Sequence, residues 1–423
     1  MKQELIKKII TENYSVVEYS HCDVREYQID DNVNYILYGI RRSGKSAIIC
    51  KKARLLLEHG VSQNQIVFLD FSDDRMKDFT TEDFPVMIAA AKEIGGGKCY
   101  YFLDEVTRIP GWEQYVLQIA STSSVVYATG SDGDVTDPQI QNLLQDKFRF
   151  LQIYTYNFRE YLLSKDIAFD AGAMADSKAK RVVEDAFSEY LQTGGFPYDG
   201  SFLRKREYLE NIYQNDIVGD ILGKNNIRNP IGFRLILRKM AEGLGTEISN
   251  SKLHSTVASS GAVLQREEFM RYIEYAMRGF MIFAIHNMSD IEEEKSDVPR
   301  YFFNDCGLLD MMGRNGEVAI LKNLVGMMLM RRYGSDLKYF KNAKADVDFV
   351  VPGKSMAIHV EDSMLGQGRK KVILGLSQLA AAHPEITKFF IITKNEEGPL
   401  EGEGFSSKIM SALDFALGRE ALV

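Results

Sequence analysis

Between residues 35 and 154 the chain alternates short unbroken apolar runs with longer stretches in which apolar residues recur every three or four positions. The runs Tyr35-Ile36-Leu37-Tyr38, Ile66-Val67-Phe68-Leu69 and Tyr100-Tyr101-Phe102-Leu103 lack the polar alternation of a half-exposed strand, which marks strands covered on both faces. The pattern predicts strands at 35–38, 65–71, 99–104, 124–129 and 148–154, and helices at 45–58, 84–93, 113–120 and 138–144. Strand and helix in regular alternation give an α/β fold, a parallel sheet with helices on both faces. From 157 to 192 the period is helical, and Gly194-Gly195-Phe196-Pro197 breaks it, as a hinge or as a structural turn. Residues 230–304 read as three helices and a small hairpin, with Phe269, Ile273, Ala276 and Phe280 recurring along one face of the last helix. A helix at 318–331 and strands at 345–351, 356–360 and 389–393 predict a second α/β segment.

Two of the predicted strands end in chemistry. The first feeds Gly39-Ile40-Arg41-Arg42-Ser43-Gly44-Lys45-Ser46-Ala47, whose glycines, lysine and serine have the G-x-x-x-x-G-K-[ST] spacing of a phosphate-binding loop. Glycines let backbone N–H groups curl round phosphates, and the following helix presents its positive end to them. All of Gly39 to Ala47 are therefore expected to line a nucleotide, with Lys45 reaching the outer phosphates and Ser46 ligating Mg²⁺. The third strand ends in Asp104-Glu105, a Walker B arrangement: Asp104 would hold Mg²⁺, through water or Ser46, and Glu105 would be the catalytic base that activates water. Val125-Val126-Tyr127-Ala128-Thr129 leads into Gly130-Ser131-Asp132, and where such a strand lies between the other two its tip faces the γ-phosphate. Thr129, Ser131 or Asp132 would then sense that phosphate, with a plain turn as the alternative; Ser131 is assigned to the nucleotide site. ATP and Mg²⁺ are the cofactors expected.

Composition narrows the setting. The 423 residues exceed one ordinary core and imply two or three domains, and 45% apolar with 26% charged residues are globular values. A net charge of −8 gives no overall pull toward nucleic acid or anionic membrane, so contact with either needs a local patch. The helix at 265–278 sets Arg266, Arg271 and Arg278 against Glu267, Glu268 and Glu274, which suits protein packing better than DNA phosphates. Cys22, Cys50, Cys99 and Cys306 lie far apart, as reduced thiols of a cytoplasmic protein would, and not as a disulfide or zinc framework. The amphipathic N-terminus lacks the apolar core of a signal peptide, and the apolar segment at 320–330 is too short to span a bilayer, so no membrane partner is expected.

These motifs, with Gly111-Trp112-Glu113, Phe158-Arg159-Glu160-Tyr161-Leu162 and Gly194-Gly195-Phe196-Pro197, resemble the prokaryotic AAA-type ATPases that join an ATPase domain to a winged-helix segment and a C-terminal domain of unknown function. The resemblance implies a P-loop core at 1–156, a helical lid at 157–229, a winged-helix segment at 230–304 and a degenerate restriction-endonuclease-like domain at 305–423. It implies Mg²⁺-dependent ATP hydrolysis driving change in the C-terminal domains, with a nucleotide-gated DNA- or protein-binding module of little turnover as the alternative. Oligomers are compatible with either. Where the family has Gly-Arg-aromatic before the fifth strand this chain has Asp146-Lys147-Phe148, which puts Lys147 at a catalytic position; Arg149 or Arg159 could serve instead. Of the nuclease-like acids only Asp348 is kept: Lys322 and His359 replace two others and Glu361 replaces the lysine, so nuclease activity is not expected. Asp348, His359 and Glu361 sharing one face would at most bind a metal weakly.

Overall fold

The apolar runs of the N-terminal part assemble into one parallel sheet of β1 (Asn34–Tyr38), β2 (Ile66–Asp70), β3 (Tyr100–Asp104), β4 (Val125–Gly130) and β5 (Phe148–Gln152), in the order β2-β3-β4-β1-β5. The structure, a computed structural model, describes residues 1–20, 25–198, 200, 204–288, 298–313, 316–365 and 367–419; Cys22 lies outside them. Alternate strand residues point to opposite faces, which explains why no polar position interrupts the runs. Ile36, Val67, Leu69, Tyr101, Leu103 and Val126 pack on one side with α1 (Gln3–Glu12), α4 (Phe84–Gly95) and α5 (Trp112–Ala120). Tyr35, Leu37, Phe68, Phe102 and Tyr127 face the other side, with α2 (Tyr14–Tyr19) and α3 (Lys45–Glu58). A short helix, α6 (Pro138–Leu144), precedes β5. Because β4 lies between β1 and β3, its tip stands between the loop that leaves β1 and the acids that end β3.

Residues 1–155 with 278–280 form this first compact unit, and 156–277 with 281–423 form a second. The second begins with α7 (Phe158–Ser164), α8 (Ala171–Ala175) and α9 (Ser177–Thr193). The Gly194-Gly195 break after α9 is a clamped turn. The Gly195 amide donates to Asp305 Oδ2 (2.9 Å), its carbonyl accepts from the Tyr156 amide (2.7 Å), and Gly307 N–H occupies Asp305 Oδ1 (2.8 Å). A Cβ on Gly194 would overlap the Asp305 carboxylate and one on Gly195 the Tyr156 carbonyl, so both glycines answer to close approach.

Further along come α10 (Lys205–Asn211), α11 (Gly219–Lys224), α12 (Pro230–Glu242), α13 (Asn250–Ser259) and α14 (Arg266–Arg278), then an antiparallel hairpin of β6 (Ile282–Ile285) and β7 (Arg300–Phe303). Three helices followed by a hairpin is the order of a winged helix. α14 buries Phe269, Tyr272, Ile273 and Ala276, and its charged residues, Arg266, Arg271 and Arg278 against Glu267, Glu268 and Glu274, carry no net charge.

The C-terminal part is a mixed six-stranded sheet, β12-β13-β11-β10-β9-β8, beside the helix Gly316–Tyr333. Its strands β9 (Asp346–Val351), β10 (Met356–Val360) and β11 (Lys388–Thr393) are those the pattern marks. The others, β8 (Lys338–Lys341), β12 (Gly398–Gly402) and β13 (Phe405–Ser411), escape it because they are short or carry polar and glycine residues, and pairing alone makes them strands.

At the heart of this part Asp348, 2% exposed, receives the Lys322 ammonium at 2.6 Å, His359 Nδ1 at 3.2 Å and the Val360 amide at 2.9 Å. Among the described residues no three His, Cys, Asp or Glu side chains are placed to hold a metal ion, so Asp348, His359 and Glu361 do not form a metal site. Burial would raise the Asp348 carboxyl, but Lys322, His359 and Arg300 outweigh it and lower it to about 2. A carboxyl lowered on folding stabilises only while ionised, so this contribution is complete above its ordinary value of 3.8 and is lost as pH falls toward about 2. Lys322→Ala is expected to cost about 3 kcal/mol at pH 7, because it leaves a buried charge poorly paired, and to move acid unfolding to higher pH. Denaturant unfolding at pH 7 and pH 3 checks both, and identical curves for variant and wild type would contradict them.

Candidate functional site

β1 ends at Tyr38, and the chain turns through Gly39 at φ +146°, against the Ile153 carbonyl, where any Cβ would overlap it. Gly44 at φ +94° then opens α3, and Arg42 between them also lies in the left-handed region at φ +62°. The loop is tied from outside by Arg25, which donates to the carbonyls of Ser43 (2.6 Å) and Tyr154 (2.7 Å). Inside it, Lys45 is 4% exposed, and its ammonium donates to the carbonyls of Gly39 and Ile40, both at 3.0 Å. Ser43 is fully buried, and its hydroxyl has no hydrogen-bond partner among the described residues. Ser46 and Ala47 follow in the first turn of α3, at the positive end of the helix dipole, which suits an anion.

Across from the loop, one threonine organises both acids. Thr129, at the end of β4, donates its hydroxyl to Asp104 Oδ1 (2.5 Å) and accepts the Glu105 amide (2.8 Å). Glu105 sits at φ +53°, a conformation costing a non-glycine residue about 1–3 kcal/mol, and the Thr129 bond holds it there. Ser131 donates its hydroxyl to Glu105 Oε1, and Lys45 Nζ lies 4.0 Å from the same oxygen. Burial works to raise the Glu105 carboxyl, but Lys45, the Ser131 hydroxyl, Arg41 and Arg108 outweigh it and hold it below the usual carboxylate value. Asp132 spends its side chain capping the turn at Asp134.

Asp104 behaves in the opposite way. Burial, then Glu105 and Asp70, push its carboxyl up to about 7, against hydrogen bonds from Ser46 and Thr129. Asp104, buried, lines a cavity of about 370 Å³ together with Ser46 and Asp70, a set of oxygen donors that fits a hard divalent cation.

Sequence pattern overlooked Asp70, Arg108 and Arg25. Asp70 ends β2 in register with Asp104, and Ile66-Val67-Phe68-Leu69-Asp70 has the same apolar-run-plus-acid form as the β3 segment, a signal that was there to read. Arg25 and Arg108 carry no comparable pattern.

Lys147 requires a correction. It precedes β5, its carbonyl accepts from Asn34 at the start of β1, and it is exposed. The phosphate loop leaves the other end of β1, roughly 15 Å of strand away. Lys147 is therefore not part of this chain's own loop-and-acid site. Arg149 is likewise at the start of β5, paired to Asp30 at 2.8 Å.

Residues 31–162 match the family model of an AAA domain. Residues 184–318 match a domain of unknown function, DUF8612. An uncharacterized protein of Methanocaldococcus jannaschii is 23% identical over 411 residues, covering 94% of this chain and 90% of its own length. Another from Haemophilus influenzae is 24% identical, covering 77% and 81%. Similar solved structures include the Walker-type ATPase of Pyrococcus abyssi (16% identity, 70% of this chain and 99% of that one, TM-score 0.37). The Aeropyrum pernix ORC1 protein in complex with DNA is another (14% identity, 78% and 94%, TM-score 0.30). No helix among the described residues is long and apolar enough to cross a membrane.

Proposed function

We propose that the chain binds ATP with Mg²⁺ at the loop after β1 and hydrolyses it, and that the nucleotide state is relayed to the second unit. The observation that supports this most is the convergence of Lys45, Ser46, Asp104 and Glu105 at one end of the sheet, braced by Thr129 and Ser131. Lys45 and the amides from Gly39 to Ala47 bind the phosphates; the Lys45 ammonium exchanges its two carbonyl acceptors for phosphate oxygens. Ser46 and Asp104 hold Mg²⁺, which when bound neutralises charge on the phosphate oxygens. Glu105, kept ionised by Lys45 and its other neighbours, takes the proton of the attacking water, and Ser131 orients it.

In the same reading, residues 157–229 act as a lid, 230–304 as a winged-helix segment and 305–423 as a C-terminal effector whose Asp348 is neutralised by Lys322. The charge-balanced face of α14 favours a protein partner over DNA. One observation favours the alternative of a nucleotide-gated binding module with little turnover: Lys147 is remote from the chain's own site, which removes that cation from a single copy.

Lys45→Ala is expected to abolish the rise in melting temperature that ATP gives the wild type. At ATP a hundred times Kd that rise corresponds to about 2.7 kcal/mol, well within calorimetric reach. An unchanged rise in the variant would place the phosphates elsewhere.

A further inference from the structure

Resting on the nucleotide reading above, we propose that Asp70 is a positioning residue for the magnesium ion, accepting hydrogen bonds from the ion's water ligands on the side away from the phosphate loop. Three observations converge on it. Asp70 and Asp104 are register partners at the ends of adjacent parallel strands, so their carboxylates emerge side by side. Both line the same cavity of about 370 Å³ as Ser46, the third member of the ion's protein surroundings. Ser72 bonds only one Asp70 oxygen, its amide (2.7 Å) and hydroxyl (2.6 Å) both donating to Oδ1, and among the described residues no hydrogen bond reaches Oδ2.

The chemistry requires such a group. Mg²⁺ is octahedral, takes few protein ligands and keeps several waters, whose polarised O–H groups need acceptors. Ser46 and Asp104 supply ligands, and Glu105 is turned toward Ser131 and Lys45. Asp70 is the remaining carboxylate of this cavity wall, since Asp73 is committed to Arg75 by a bidentate pair. Acceptors behind metal ligands typically carry ten- to a hundredfold in metal affinity.

The test is Asp70→Asn, whose amide oxygen still accepts both Ser72 bonds, so the unliganded melting temperature should match the wild type. Melting temperature is followed with saturating ATP while Mg²⁺ is titrated, and again with ATP in EDTA; Mn²⁺ binding is read by electron paramagnetic resonance. The expected result is a half-saturating Mg²⁺ concentration about tenfold higher in the variant, a matching loss for Mn²⁺, and an unaltered shift with ATP in EDTA. Half-saturation within twofold of wild type overturns the proposal, as does loss of the metal-free ATP shift or a lower unliganded melting temperature with unchanged metal dependence. The nucleotide reading fails by a different result, a wild type that ATP does not stabilise under any condition, and this proposal would fall with it.

Discussion

Glu105→Gln is expected to lower ATP turnover by about 10²–10⁴-fold while leaving ATP binding intact. The amide keeps the size of the carboxyl and can still accept the Ser131 hydroxyl, but it cannot take a proton from water. The low carboxyl value enforced by Lys45, Ser131, Arg41 and Arg108 makes a further point: the base is already ionised at neutral pH, so turnover should not depend on Glu105 titration there. Phosphate release from wild type and variant, with ATP-induced stabilisation measured on both, gives the answer. A wild-type rate no higher than that of the variant would remove hydrolysis and leave the nucleotide-gated binding module.

Gly195→Ala is expected to destabilise the second unit by about 4 kcal/mol or more, or to prevent its folding. The added Cβ meets the Tyr156 carbonyl oxygen, part of a backbone that cannot rotate aside as a flexible side chain would. Relief by moving the turn breaks the bond from Tyr156 N–H to the Gly195 carbonyl and the bond from Gly195 N–H to Asp305. Asp305 is wholly buried, and stripping a donor from a buried carboxylate costs about 1–3 kcal/mol or more. Denaturant unfolding followed by circular dichroism measures the loss. A change under about 1 kcal/mol would mean that the turn gives way easily and would restore its reading as a hinge.

Legibility of the fold followed the strength of local signals. α3 and α6 begin and end where the pattern puts them, because a helical apolar period flanked by Gly44 and by Asp137-Pro138 leaves few alternatives. β8, β12 and β13 were hidden, since Lys-Tyr-Phe-Lys or Gly-Pro-Leu-Glu-Gly becomes a strand only when a neighbour supplies its hydrogen bonds. The expected catalytic Lys147 came from a position relative to β5, and direction along the sheet defeats it: β5 begins where β1 begins, far from the end at which β1 releases the loop.

The sequence by itself determined the phosphate loop from Gly39 to Ser46, the acids Asp104 and Glu105, and the α/β alternation that carries them, because each depends on spacing within a short stretch. Tertiary structure alone decided which groups those residues meet. It set Thr129 between the two acids, turned Ser131 onto Glu105, brought Asp70 beside Asp104, sent Lys147 to the far end and seated Lys322 on Asp348. The physical reason is strand order: inserting β4 between β1 and β3 joins side chains from distant parts of the chain at one edge, and no local pattern records which strands become neighbours.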